Sequence, residues 1–181
     1  MIKTYIGRVD AHSSIQSILT SDENTQIAFD IFQDYWKHGF DSEVGRDTYL
    51  SRPDEAKDCA IGRVHLRPVH FTGNEREEFG HTATEECWDR WPGLGEVPAT
   101  ESASRHIPTS NEWIVYCVDS KRNACMLAYL PIAIDPHTYC ENLDHMQAFI
   151  DKANAWFKDN SSHPMSNSEF PLIFNDKWLT P

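Results

Sequence analysis

The stretch from Arg105 to Asn160 constrains the fold more than any other part of the chain. Glu112-Trp-Ile-Val-Tyr-Cys-Val118 is apolar, aromatic and β-branched, with no glycine or proline, and reads as a strand. Asp119–Asn123 is a polar turn, and Ala124–Leu130 is a second strand, apolar on both faces and therefore buried. The pair forms an antiparallel hairpin near the middle of a sheet. Pro131 and Pro136 end it, because proline cannot donate to a ladder. Thr138 followed by Glu141 fits a capping box opening an amphipathic helix. Its apolar stripe is Leu143, Met146, Phe149, Ile150, Ala153, Trp156 and Phe157.

A chain of 181 residues is long enough to bury a proper core in one domain. No apolar run approaches the roughly 20 residues a membrane span needs, and Met1-Ile-Lys-Thr-Tyr5 lacks a signal peptide's apolar core. The five cysteines, Cys59, Cys87, Cys117, Cys125 and Cys140, show no CxxC spacing. They read as reduced packing residues in a cytoplasmic protein. The formal net charge of −12 argues on its face against a nucleic-acid partner. The charge is unevenly spread, so net charge alone does not decide the partner. Between Asn74 and Glu101 eight acidic residues face two arginines, whereas Gly45–His70 carries Arg46, Arg52, Lys57, Arg63 and Arg67 against four acids. A basic segment bearing His65 and His70 thus adjoins a strongly acidic one.

Ile2–Val9 reads as a short strand and Ser13–Leu19 as a short helix. Asn24–His38 is helical, with Ile27, Ile31, Phe32, Tyr35 and Trp36 on one face, Ser21, Asp22 or Asn24 as cap and Gly39 as terminator. Gly45-Arg-Asp47 falls in a loop. Cys59–Phe71 alternates, placing Val64 and Leu66 on one face and Arg63, His65 and Arg67 on the other until Pro68 interrupts it. Thr72–Ser104 reads as a long insertion with a helical turn over Thr84–Arg90, and loops of this length are functional or disordered. The tail after the last helix is rich in Ser, Asn and Pro, and Phe170-Pro-Leu-Ile-Phe174 with Trp178 predicts that it packs back on the domain.

Histidines, arginines and carboxylates must carry any chemistry. A phosphodiester cleaved by its own 2′-hydroxyl needs a base, guanidinium groups for charge on the pentavalent phosphorus and an acid for the leaving oxygen. Arg63, His65 and Arg67, joined by Arg46, Asp47, Tyr116 and His137, are the right residue types, though a solvated sheet face would look the same. A metal site would draw on His65, His70, His106, His137 and His145, yet no HExxH, HxH or zinc-finger spacing is present, so neither metal nor cofactor is expected. GxSxG elbows and Walker-type loops are also absent.

The order Gly45-Arg46-Asp47, Arg63-Val-His65-Leu66, Thr109–Glu112, then Ile114-Val-Tyr-Cys117 resembles the YafO family of bacterial type II toxins. The likeness continues through Leu127-Ala-Tyr-Leu130 and Asp135-Pro-His137 to Met146 and Ala155-Trp-Phe157, skipping the insertion. The resemblance implies a ribosome-dependent mRNA endonuclease blocked by a cognate antitoxin. By analogy with RelE-type toxins it also implies a compact α+β domain acting without metal. The acidic insertion and the tail are departures from that family.

The expected architecture is one α+β domain over residues 1–158 with an insertion at 72–104, followed by a packed tail at 159–181. An antiparallel sheet is flanked by the Asn24–His38 and Thr138–Asp159 helices. Arg46, Arg63 and Arg67 would bind phosphate of mRNA on the ribosome, His65 and His137 would be acid and base, and Asp47 or Tyr116 would orient them. Neither a membrane nor DNA is an expected partner. Arg63, His65 and Arg67 should be largely solvent-accessible, with the Arg46 loop approaching their face. Two roles suit the insertion: an electrostatic lid over the basic site, or a binding surface for a basic partner with Trp88 and Trp91 as anchors. The second would make the chain a non-catalytic interaction module.

Overall fold

The computed structural model describes residues 3–93 and 106–181. In chain order the elements are β1 (Val9–Ala11), α1 (Ser13–Leu19), α2 (Glu23–His38), β2 (Val44–Tyr49), α3 (Asp54–Asp58) and β3 (Ile61–Leu66). Then follow α4 (Glu75–Phe79), α5 (Glu85–Asp89), β4 (Trp113–Val118), β5 (Ala124–Leu130), α6 (Pro136–Glu141) and α7 (Leu143–Asp159). Together they form a single α+β domain around a five-stranded sheet ordered β1-β5-β4-β3-β2. The hairpin β4–β5 sits inside the sheet, as its apolar faces require. The sheet is mixed rather than wholly antiparallel: β1 lies parallel to β5, while the other pairings are antiparallel. β1 is also displaced from the expected Ile2–Val9, where the chain makes only a Tyr5–Leu179 bridge.

Both faces of the sheet are covered. On the first, α2 packs Phe32, Tyr35 and Trp36 onto Val64, Ile114, Tyr116 and Met126. Asp22 caps α2 by accepting from the Thr25 N–H, and Gly39 ends it at φ 75°, a left-handed conformation that glycine adopts without strain. Ile27, expected on its buried face, is exposed. The tail closes this layer with Met165, Phe170 and Ile173. On the second face, α7 lays Met146, Phe149, Ile150, Ala153, Trp156 and Phe157 over Trp113, Val115, Cys117 and Leu127. All five cysteines are free thiols. Among the described residues, no helix is long and apolar enough to cross a membrane.

The expected single helix from Thr138 is two. Pro136 occupies the first turn of α6, and Thr138 donates to the Asp135 carboxylate rather than capping. Asn142 caps α7 instead, accepting from the Asp144 and His145 N–H groups. Leu143 is left exposed. This break frees α6 to turn across the sheet's second face.

Candidate active site

The second face of the sheet is filled by α7 only as far as Trp113. On β3 the apolar layer includes Ile61, and further along the strand the side chains on this face are polar. Strand alternation sends Arg63 and His65 to this face and Val64 and Leu66 to the opposite core. β3 is shorter than the expected Cys59–Phe71, so Arg67 lies past its end.

Gly45-Arg46-Asp47 is not a loop but part of β2, with a register shift between Val44 and Asp47. Asp47 lies opposite Val64 and shares its face, whereas the neighbouring Arg46 reaches the Arg63 side. Gly45 has a steric reason: a Cβ there would come within 2.4 Å of the Pro108 carbonyl oxygen and 2.8 Å of Trp88. The insertion docks against that bare backbone.

A pocket of about 270 Å³ results, lined by Arg46, Arg63, His65, Phe79, Thr82, Thr109, Ser110, Asn111 and His137. The buried Trp113 packs against three of these side chains. The Arg63 guanidinium lies 4.0 Å from the Trp113 ring centroid, the His137 ring 4.5 Å and the His65 ring 5.1 Å. The indole N–H is fixed by the Ser110 carbonyl at 2.7 Å. Among the described residues neither Arg46 nor Arg63 forms an ion pair, and the Arg63 Nε is buried with no hydrogen-bond partner. Burial lowers the Arg63 pKa, and the nearby Arg46 charge lowers it further. Among the described residues, no carboxylate lines this pocket. Two guanidinium groups on one pocket, with no acid beside them among the described residues, favour a bound anion.

His65 is not solvent-exposed as expected; it is 3% exposed, wedged between Trp113 and the Ser110 backbone. The Ser110 backbone meets His65 Nδ1 with both its groups, the carbonyl oxygen at 2.8 Å and the N–H at 2.9 Å. In the tautomer whose Nδ1 accepts from that N–H, the proton sits on Nε2. Burial, reinforced by Arg63, pushes the His65 pKa down to about 3. His65 therefore suits hydrogen-bond donation to bound ligand better than proton transfer near neutrality. His137, in the first turn of α6, is exposed, and its pKa is lowered by partial burial and by Arg63. It stays largely neutral at pH 7 and can accept a proton.

The depressed His65 has a consequence for stability. The unfolded chain, with an ordinary histidine near 6.5, takes up the proton before the folded one does. The stability His65 confers is thus full above pH 6.5 and lost as pH falls toward 3, by up to about 1.4 kcal/mol per unit. Between pH 6.5 and 5 the wild type should lose about 1.7 kcal/mol more than His65→Gln in urea unfolding. Parallel losses in the two proteins would contradict a neutral, buried His65.

The remaining expected site residues are elsewhere. Asp47 accepts from the Tyr35 hydroxyl at 2.7 Å and the Tyr116 hydroxyl at 2.6 Å, inside the α2 layer. Burial raises its carboxyl to about 6, against the pull of the two phenols, and both phenols are held well above 10. Asp47 and Tyr116 cannot orient a group on the other side of the sheet. Arg67 pairs with Asp89 at 2.5 Å and lines a separate groove with Glu43 and Glu112. Among the described residues, no group of three His, Cys, Asp or Glu is arranged to hold a metal ion.

The insertion is built into the fold over its described part. Trp88 and Trp91 are buried, with their indole N–H groups on the Thr109 and Val44 carbonyls, so neither is an anchor for a partner. Thr84 caps α5 where the helical turn was expected. The described part of the insertion walls the pocket through Phe79 and Thr82, and none of the carboxylates described there is among the lining residues. The last part of the expected lid, residues 94–104, lies outside the described residues.

Reasoning from sequence missed Trp113, Ser110 and Arg122. Trp113 was legible as the cross-strand neighbour of His65 once β3 and β4 are paired in register. Arg122, in the β4–β5 turn, carried no signal distinguishing it from a solvated turn residue. Comparison with protein-family models, with curated proteins and with solved structures finds no match to this chain.

Proposed function

We propose that the chain is a metal-independent endoribonuclease that cleaves mRNA at the ribosome, a toxin of the YafO kind restrained by a protein antitoxin. The observation that carries this reading is the convergence of Arg46, Arg63, His65 and His137 on one pocket that, among the described residues, no carboxylate lines. The four residues come from β2, β3 and α6, and the motifs they belong to are those that resemble the family.

The pocket holds the parts that transesterification of RNA needs. Arg46 and Arg63 take the scissile phosphate and the charge that grows on its oxygens. His65 donates its Nε2 proton in a hydrogen bond to a non-bridging oxygen. His137 accepts the proton of the 2′-hydroxyl as O2′ attacks phosphorus. The O2′–P bond forms, the P–O5′ bond breaks, and the departing O5′ takes a proton from water at the open mouth. Products are a 2′,3′-cyclic phosphate and a 5′-hydroxyl. The net charge of −12 is no obstacle, since the carboxylates of α4 and α5 lie outside the pocket lining.

Induced expression in a bacterial host tests the reading. Wild type should arrest growth with loss of intact mRNA, the Arg63→Gln variant should be tolerated, and co-expression of the cognate antitoxin should restore growth. Folded wild-type protein that accumulates without effect on growth or mRNA would refute it.

A further inference from the structure

We propose that Phe79 is a stacking platform for an RNA base beside the scissile phosphate, so that the insertion supplies part of the substrate site. The inference rests on the ribonuclease reading and extends it to substrate recognition. Phe79 ends α4 and is 45% exposed, although Trp88 and Trp91 in the same insertion are buried. Those two tryptophans fix the segment to the sheet; Phe79 is left facing the pocket that holds Arg46, Arg63, His65 and His137. Its wall is held firmly. The Thr109 N–H donates to the Thr82 carbonyl at 3.0 Å, and the two threonine hydroxyls meet at 2.8 Å.

Two buried atoms of the lining residues lack partners among the described residues: the Arg63 Nε donor and the Asn111 Oδ1 acceptor. Each is costly to leave unpaired, and a ligand is the natural partner. The pocket thus asks for an anion at Arg63, an N–H donor at Asn111 and a planar ring at Phe79. A nucleotide in a single strand offers all three: its phosphate, the N–H edge of its base and the base's face. Bases paired in a duplex have that face covered, so single-stranded RNA is the substrate class.

A short single-stranded RNA, made uncleavable by 2′-O-methyl groups and carrying 2-aminopurine, reads the contact directly. Wild-type full-length protein should bind it and quench the fluorescence, as a stacked base is quenched. Phe79→Ala should weaken binding by roughly 10-fold or more and abolish the quenching, while Phe79→Trp should retain both. Far-ultraviolet circular dichroism should match wild type, because α4 buries none of its residues. Equal affinity and equal quenching in wild type and Phe79→Ala would overturn the platform alone. Wild type and Arg63→Gln that both fail to bind the RNA would overturn the ribonuclease reading, and the platform with it.

Discussion

Replacing Arg122 by methionine is expected to cost the fold about 4 kcal/mol. Arg122 is fully buried, and its pKa is pushed down to about 10 by that burial, so it remains charged at neutral pH. Its partners are backbone carbonyls, not acids. Nε donates to Ile173 at 2.5 Å, Nη2 donates to Trp36 at 2.8 Å and Nη1 donates to Ile6. The Trp36 carbonyl belongs to the last turn of α2, where a helix favours positive charge. The guanidinium also lies 4.6–5.0 Å from the ring centroids of Tyr5, Trp36 and Phe174. One side chain therefore joins the N-terminal segment, α2 and the tail. Methionine fills the volume but leaves three carbonyls, two of them in buried bonds, without the donors they had. Lysine should rescue little, because one ammonium cannot span three directions as the planar fork does. Urea unfolding at pH 7 measures the loss, and a loss below about 1 kcal/mol would mean that the carbonyls find other donors.

His137→Gln is expected to lower the cleavage rate about 10²- to 10⁴-fold with little change in stability. The ring is exposed and rests on Trp113, so its removal opens no core cavity. The pH dependence follows from the direction of its shift. His137 titrates below its ordinary 6.5, pushed down by partial burial and by Arg63, and a base works only when neutral. Activity should therefore be flat around pH 7 and fall on the acid side with an inflection below 6.5. Neutralising Arg63 should move that inflection upward, because the nearest repelling charge is gone. An inflection that ignores Arg63, or a His137→Gln enzyme of full activity, would remove His137 from the chemistry.

The fold was legible where one residue pattern admits one environment. Glu112–Val118 and Ala124–Leu130 are apolar on both sides, and a strand of that kind sits inside a covered sheet. Asp22 and Gly39 mark the ends of α2 by the groups they offer to the backbone. The α6–α7 break was hidden because Thr138 and Asn142 are both competent caps; Pro136, buried in the first turn of α6, starts a helix of its own, and Asn142 caps the next. β1 pairs through three residues, too few to leave a pattern.

The site was half legible for a related reason. Alternation correctly puts Arg63 and His65 on one face, but it says nothing about what covers that face. α6, the insertion and Trp113 turn an open sheet surface into a pocket, so His65 is buried where solvent was expected. Arg46 and Asp47 are adjacent and hence on opposite faces of a strand; read as a loop, the pair hid that exclusion. Trp88 and Trp91 read as partner anchors because the run of acids and glycines around them resembles a free loop. Their indole bonds to Thr109 and Val44 are long-range and leave no local trace.

The most direct test of the central claim is the chemistry of the cut ends. Purified protein is added to a translation reaction programmed with a defined mRNA, and both termini at each cut are characterised. A site of two guanidinium groups and two neutral imidazoles, using the substrate's own O2′ as nucleophile, predicts 2′,3′-cyclic phosphate and 5′-hydroxyl ends. A single 2′-deoxynucleotide at the cut should block the reaction, and Arg63→Gln should slow it about 10²- to 10³-fold. Ends bearing 3′-hydroxyl and 5′-phosphate, or cleavage that survives the 2′-deoxy substitution, would contradict the account, since both require water to attack phosphorus.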